Sequence, residues 1–173
     1  MASEQTSAVH VRLGGPTNVA TGLPVLDRLL TLLAEYARVG IALEVEPGSA
    51  EAEVARAGEA LGAAFAERLR GGGARRYGMA SMASAEALAQ VVLEVSDEPL
   101  VVSNVDLTPA RLGGLATDLV DRFLRRLAEA ARLTLHVRLV HGTDTQHVLE
   151  AIFKALGVAL AQAAGATRKE TDE

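Results

Sequence analysis

The chain repeats itself. Residues 26–45, LDRLLTLLAEYARVGIALEV, lie over residues 120–139, VDRFLRRLAEAARLTLHVRL, with Asp27/Asp121, Arg28/Arg122, Leu30/Leu124, Leu33/Leu127, Ala34/Ala128, Glu35/Glu129, Ala37/Ala131 and Arg38/Arg132 identical. After one residue of slip the match resumes, EALGAAFAERL (59–69) over KALGVALAQAA (154–164). Two alanine-rich helices can agree by chance. Agreement through helix, strand and second helix in one order marks a duplicated supersecondary unit. Such a chain must fold as two like halves, each with one apolar face to bury.

The pattern inside each unit is legible. Residues 24–38 carry Val25, Leu26, Leu29, Leu30, Leu32, Leu33 and Ala37 as a helical stripe. Pro24 suits the first helical turn and Gly40 the exit. Ile41, Leu43 and Val45 alternate with Ala42, Glu44 and Glu46, which predicts a strand with one buried face. Pro47-Gly48 turns the chain, and residues 51–69 form a second helix ended by Gly71-Gly72-Gly73. The second unit predicts helix 115–131, strand 133–140, a turn at Gly142 and helix 145–164. Hairpin-like strands precede each unit, 8–13 before the first and 88–95 and 99–105 before the second. The expected class is α+β: one domain over 1–173, a two-layer α/β sandwich made of two tandem repeats, each a β-sheet covered on one face by two helices. Half one spans about 4–73 and half two about 74–166, with a polar tail at 167–173.

Composition narrows the function. The chain has 173 residues, 49% hydrophobic and 23% charged, a globular balance. No cysteine is present, so disulfides, thiolate metal sites and a Cys nucleophile are excluded. A formal charge of −5 and only five Phe and Tyr residues argue against a nucleic-acid partner. No apolar run is long enough to span a bilayer, so no membrane partner is expected. The opening MASEQTSAVHVRL lacks a basic segment followed by an apolar one, and a cytoplasmic setting is expected.

Several stretches resemble imidazoleglycerol-phosphate dehydratase of histidine biosynthesis. They are Thr21-Gly22-Leu23-Pro24-Val25-Leu26-Asp27, Ala74-Arg75-Arg76-Tyr77-Gly78, Glu86-Ala87-Leu88-Ala89, Leu133-Thr134-Leu135-His136-Val137-Arg138 and His147-Val148-Leu149-Glu150-Ala151-Ile152-Phe153-Lys154-Ala155-Leu156. They fall in the family's order and cover nearly the whole chain. The resemblance implies a tandem duplication, a carbon–oxygen lyase activity, and two manganese ions held between subunits of trimers that join into larger shells. It also implies the ligands: a His at the start of each half's first helix and a His-His-x-x-Glu cluster entering its second. Residues i and i+4 share a helix face, so imidazole and carboxylate in such a cluster can reach one ion.

This chain departs from that pattern. Arg28 and Arg122 stand at the two first-helix places. The half-one cluster reads Glu51-Ala52-Glu53-Val54-Ala55, so Glu51, Ala52 and Ala55 fill its ligand places, and the half-two cluster reads Gln146-His147-Val148-Leu149-Glu150. Only His147 and Glu150 survive of eight ligands, as a remnant catalytic pair. No metal cofactor is therefore expected, because two ligands hold a divalent ion weakly and two guanidiniums repel one. The Pro-Met-Asp-Glu stretch of the family reads Ala83-Ser84-Ala85-Glu86, and its phosphate-holding Ser-x-Lys-Gly segment is absent. Arg75 or Arg76 and Lys154 match the family's phosphate-binding cations. Their bland alternatives are a helix C-terminal cap past Gly73 and a solvated helix residue. His136 shares a strand face with Thr134 and Arg138 and reads as a structural histidine. His10 and His141 have no partner pattern. Met79 and Met82 read as core or interface filler, and Gly71-Gly72-Gly73 lacks the Gly-Lys-Ser/Thr of a phosphate loop.

The leading expectation is a degenerate dehydratase homologue that self-assembles as a trimer or other homo-oligomer and acts as a scaffold, regulatory or phosphate-ligand-binding protein. The alternatives are an active dehydratase with a rebuilt site and a subunit that co-assembles with an active paralogue. A fixed guanidinium can stand in for a cation beside leftover carboxylates, so Arg28 or Arg122 is expected to meet Glu150, Glu51 or Glu53.

Overall fold

The structure, a computed structural model, describes residues 9–106, 111–112 and 114–165. Residues 4–8, Ala166 and the tail 167–173 lie outside the described residues. The first repeat runs β1 (Val9–Leu13), β2 (Asn18–Ala20), α1 (Pro24–Ala37), β3 (Ile41–Val45) and α2 (Ala50–Arg70). The second runs β4 (Tyr77–Ser84), β5 (Ala87–Val95), β6 (Leu100–Ser103), β7 (Arg111–Leu112), β8 (Leu115–Ala116), α3 (Asp118–Ala131), β9 (Leu133–His141) and α4 (Thr145–Ala163).

The two sheets share a plan. β3 is a central strand, paired antiparallel with β1 and parallel with β2. β9 is its counterpart, antiparallel to β5 and parallel to β6. A parallel pair needs a crossover, and α1 and α3 supply it. β4 extends the second sheet along the far edge of β5. The expectation that 88–95 and 99–105 act as hairpin-like partners is corrected: β9 lies between β5 and β6. The local turn at Asp97-Glu98-Pro99 cannot reveal that a strand thirty residues later takes the central place. The expected helix from 115 begins at Asp118, because Leu115 and Ala116 pair with Leu112 and Arg111.

The sequence pattern also misses β4. Its inward residues include Gly78 and Ala80, too small to mark an apolar period. The reason is close packing: a Cβ on Gly78 would come within 2.1 Å of the Ala159 carbonyl oxygen of α4.

The halves join through their helices. α1 of the first repeat packs on α4 of the second, and α2 packs on α3. Each crossing turns on a glycine at matching places in the repeat. A Cβ on Gly62 would sit 2.5 Å from Leu127 O, and one on Gly157 would sit 2.6 Å from Leu33 O. Between the layers lies an aliphatic core in which Phe123 and Phe153 stack with centroids 5.9 Å apart. Each buried leucine such as Leu30 or Leu156 contributes about 2 kcal/mol.

The first helix of each repeat ends on a left-handed arginine, Arg38 (φ 55°) and Arg132 (φ 58°), whose amides turn back to the last helical turn. Gly40 is therefore not the helix exit. It is glycine because Gly15 O would lie 1.7 Å from a Cβ there, where Gly14 N–H donates to Gly40 O at 2.7 Å. Ahead of α1, Asp27 accepts from the Thr21 amide and hydroxyl, whereas its counterpart Asp121 pairs with Arg125.

The outward faces of the two sheets differ. The first presents His10, Arg12, Asn18 and Glu44. The second presents a register row of Met79, Val92, His136 and Val102, with exposed Tyr77 and Leu100 in the next row. His136 is exposed on this face, opposite buried Leu135 and Val137, Met79 is 57% exposed, and Met82 packs against the core. Among the described residues no helix is long and apolar enough to cross a membrane.

Candidate functional site

The entry of α4 gathers the polar side chains. Asp144 caps the helix by accepting from His147 N–H at 3.1 Å. Ala85 takes a left-handed turn (φ 48°) between β4 and β5, and the turn brings Glu86 against this cap. Glu86 accepts the Asp144 amide at 3.1 Å on one oxygen and lies 2.6 Å from His147 Nδ1 with the other. One turn along α4, Glu150 faces both α1 and the end of β4. Its Oε1 accepts from Arg28 Nη2 at 2.7 Å and Gln146 Nε2 at 3.1 Å, and its Oε2 accepts from Ser84 Oγ at 2.7 Å. A further turn along, Lys154 Nζ donates to Ala83 O at 3.1 Å and lies 5.4 Å from the centre of the Tyr36 ring.

These contacts set the charge states. Burial works to raise the Glu150 pKa, but hydrogen bonds from Ser84 and Gln146 and the nearby charges of Arg28 and His147 outweigh it, leaving it below the ordinary carboxylate value. The hydrogen bond with Glu86 holds the His147 imidazole above its ordinary value against partial burial, helped by the charges of Asp144, Glu86 and Glu150. Glu86 itself is lowered, first by its backbone hydrogen bond and then by His147.

The equivalent place in the first repeat is bare. Arg122 is exposed and has no carboxylate partner among the described residues. Ala55 stands where the second repeat has Glu150, and Ala52 where it has His147, its amide capped by Ser49 Oγ at 3.2 Å. Glu51 is exposed. Glu53 is buried: Oε1 accepts Gly48 N–H at 3.3 Å, and Oε2, which would lie 2.1 Å from a Cβ on Gly22, has no hydrogen-bond partner. One of the two arginines is expected to meet a carboxylate, and among the described residues Arg28 does so, at Glu150.

The three matched phosphate cations do not converge within one chain. Arg75 stacks 4.5 Å over the Tyr77 ring at the start of β4, whereas Lys154 contacts Ala83 near its end, about 20 Å along the strand. Arg76 has φ 70°. Its backbone amide caps Ala163 O at 2.9 Å, so the helix it closes is α4 rather than the one before Gly73. Arg75 also borders an open groove of about 750 Å³ on the outward face of the second sheet, with Tyr77, Met79, Val92, His136 and Gln162. Sequence reasoning missed Ser84, Glu86 as a histidine partner, and Tyr36. Their roles depend on β4 and α1 meeting α4, which no local pattern encodes.

Manganese does not fit the side chains present. Glu150 spends both oxygens on protein donors, and a guanidinium lies at one of them. Among the described residues no three His, Asp or Glu side chains gather as a cation site requires.

Residues 21–160 match the family model for imidazoleglycerol-phosphate dehydratase. The imidazoleglycerol-phosphate dehydratase of Clostridium botulinum is 35% identical over 166 residues, covering 93% of this chain and 84% of the relative. That of Bacillus anthracis is 37% identical over 154 residues, covering 87% and 79%. The crystal structure of the Staphylococcus aureus imidazoleglycerol-phosphate dehydratase superposes with a TM-score of 0.86 at 30% identity, covering 95% of this chain and 97% of the other. The family model spans residues 21–160, through both repeats, and the match in fold covers 95% of the chain, so this chain belongs to the imidazoleglycerol-phosphate dehydratase family.

Proposed function

We propose that this chain keeps the family's scaffold without its bimetallic chemistry, and serves as a self-assembling scaffold, regulatory or phosphate-ligand-binding protein. The observation that carries this reading is Glu150, one of two surviving ligand residues, whose carboxylate accepts from Arg28 and Gln146 on one oxygen and from Ser84 on the other. A carboxylate with those donors is neither a free base nor an open ligand. Self-association is supported by the exposed apolar side chains Met79, Val92 and Val102 on the outward face of the second sheet. Because Arg75 and Lys154 lie apart in one chain, a phosphate pocket using both needs residues from two copies, or from this chain and an active paralogue.

The second reading is a working dehydratase that converts imidazole glycerol phosphate to imidazole acetol phosphate. It is favoured by the names of relatives at 35–37% identity. One experiment separates the two. Purified protein is assayed for dehydration with added manganese, and its metal content is measured alongside. The proposal expects well under one manganese per chain, no rise in thermal midpoint with the ion, and no product. Turnover with stoichiometric metal would establish the second reading.

A further inference from the structure

We infer that the open edge of β1, floored by α2, is a docking groove for one extended strand of another polypeptide, with glycine and small apolar residues turned inward and an acidic residue turned outward. The two repeats supply the observation. Among the described residues the second sheet has four strands and the first has three. In the shared plan β5 corresponds to β1 and α4 to α2, so β4 is the strand without a described counterpart. Its place in the first repeat is an open groove of about 630 Å³ between β1 and α2.

The residues around that groove match those that β4 covers. Val11 and Leu13 correspond to Val91 and Leu93, and Ala60 and Ala64 to Ala155 and Ala159. All four beneath and beside β4 are buried, whereas all four around the groove are part-exposed. The backbone is prepared as well. Arg68 Nη2 reaches Leu13 O at 3.4 Å from the groove side, so Val11 and Leu13, two residues apart on one strand, turn their amides and carbonyls to the open edge. An edge of this kind takes up a strand through main-chain hydrogen bonds, and alternate side chains set the specificity.

The second repeat shows what fits. Gly78 lies opposite Leu93 and Ala80 opposite Val91, both turned inward, and the Ala159 carbonyl leaves no room for a side chain on Gly78. The Met79 amide donates to Gln162 Oε1 at 2.9 Å. Glu67 stands at the place of Gln162 and offers a carboxylate to the same amide of an occupant. On the outward face Met79 lies beside Val92, whose counterpart is Arg12. Arg12 and Arg68 leave the groove net positive even beside Glu67, so an acidic residue at the outward place is the complement. The occupant is a lone strand. A sheet edge backed by its own helix, such as β4 of a second copy with its α4, would drive that helix into α2.

The test uses the full chain and a labelled peptide, acetyl-Tyr-Gly-Glu-Ala-Ser-Met-amide, which carries the β4 pattern with an acidic residue at the Met79 place. Fluorescence anisotropy should show saturable binding with a Kd of the order of 100 μM. Lysine in place of the peptide's glutamate should weaken binding about fivefold, and valine in place of its glycine should abolish it. Val11→Pro removes an amide that faces the groove while sparing the β1–β3 ladder, so binding should fall about tenfold. Ala64→Leu, which fills the floor of the groove, should do the same and decides the matter where the proline variant does not fold. Hydrogen exchange along β1 should slow when the peptide is added. No saturable binding, or binding indifferent to both Val11→Pro and Ala64→Leu, overturns the inference. So does slow exchange of the Val11 amide without peptide, because the edge is then already covered: by a second copy where the protection depends on protein concentration, and by the chain's own preceding residues where it does not.

Discussion

The crossing of α1 on α4 and the crossing of α2 on α3 are two copies of one arrangement. Each turns on a glycine, Gly157 or Gly62, and each carries an arginine on its first helix, Arg28 or Arg122. At the first crossing the arginine meets Glu150. At the second, the residue corresponding to Glu150 is Ala55, and Arg122 stays in solvent. An exposed guanidinium is well hydrated and can be left alone at little cost. A carboxylate that is only 20% exposed cannot, because burial without donors is expensive. The surviving carboxylate thus requires its network, and the lost one removes the need for any. One turn along, the two crossings diverge again: Glu59 of α2 pairs with Arg126 of α3 at 3.1 Å, while its counterpart Lys154 lies over Tyr36 of α1.

The largest effect should come from what the crossings share. Gly62→Ala and Gly157→Ala each force a methyl group against a backbone carbonyl of the partner helix, and each should cost about 2–3 kcal/mol in chemical denaturation. A loss at one glycine and tolerance at the other would break the equivalence of the two crossings.

Next comes what they do not share. Arg28→Ala should cost about 1 kcal/mol, since Glu150 keeps Ser84 and Gln146 as donors and Arg28 is 55% exposed. Arg122→Ala should change stability by less than about 0.5 kcal/mol, as for an unpartnered surface residue. Equal costs would erase the difference between the sites.

A smaller effect is the pH dependence contributed by the cluster at the entry of α4. His147 is raised in the folded state, so its contribution is complete below the ordinary imidazole value of about 6.5 and is lost as pH rises through the folded value. Glu86 and Glu150 are lowered, so theirs is present above the ordinary carboxylate value and lost as pH falls. Thermal midpoints measured from pH 5 to 9 should decline gently on the alkaline side, and His147→Gln should flatten that decline. Ala52 supplies no matching slope in the first repeat, so a decline that persists in His147→Gln places its source elsewhere.

The smallest difference is in salt. The Glu59–Arg126 pair is exposed on both sides, so Arg126→Ala should cost less than about 0.5 kcal/mol, a loss that fades in 1 M salt. Lys154→Ala should cost a similar amount with weaker salt dependence, because its contacts are a carbonyl and a ring face. Identical salt responses would show the two braces to be of one kind.

The sequence alone determined the duplication, the four helices within a few residues, the buried alternation of β3 and β9, and the family, because these are written in local periodicity and in motifs copied along the chain. It also located the two arginines at equivalent places and reduced their candidate partners to three carboxylates. Only the tertiary structure decided which arginine finds one. It likewise decided that β9 parts β5 from β6, that Gly78 and Ala80 belong to a strand, and that Ser84 and Glu86 complete the cluster. Each of these depends on elements far apart in sequence being pressed together by the burial of one shared aliphatic core. A contact across 122 residues leaves no period in the chain that makes it.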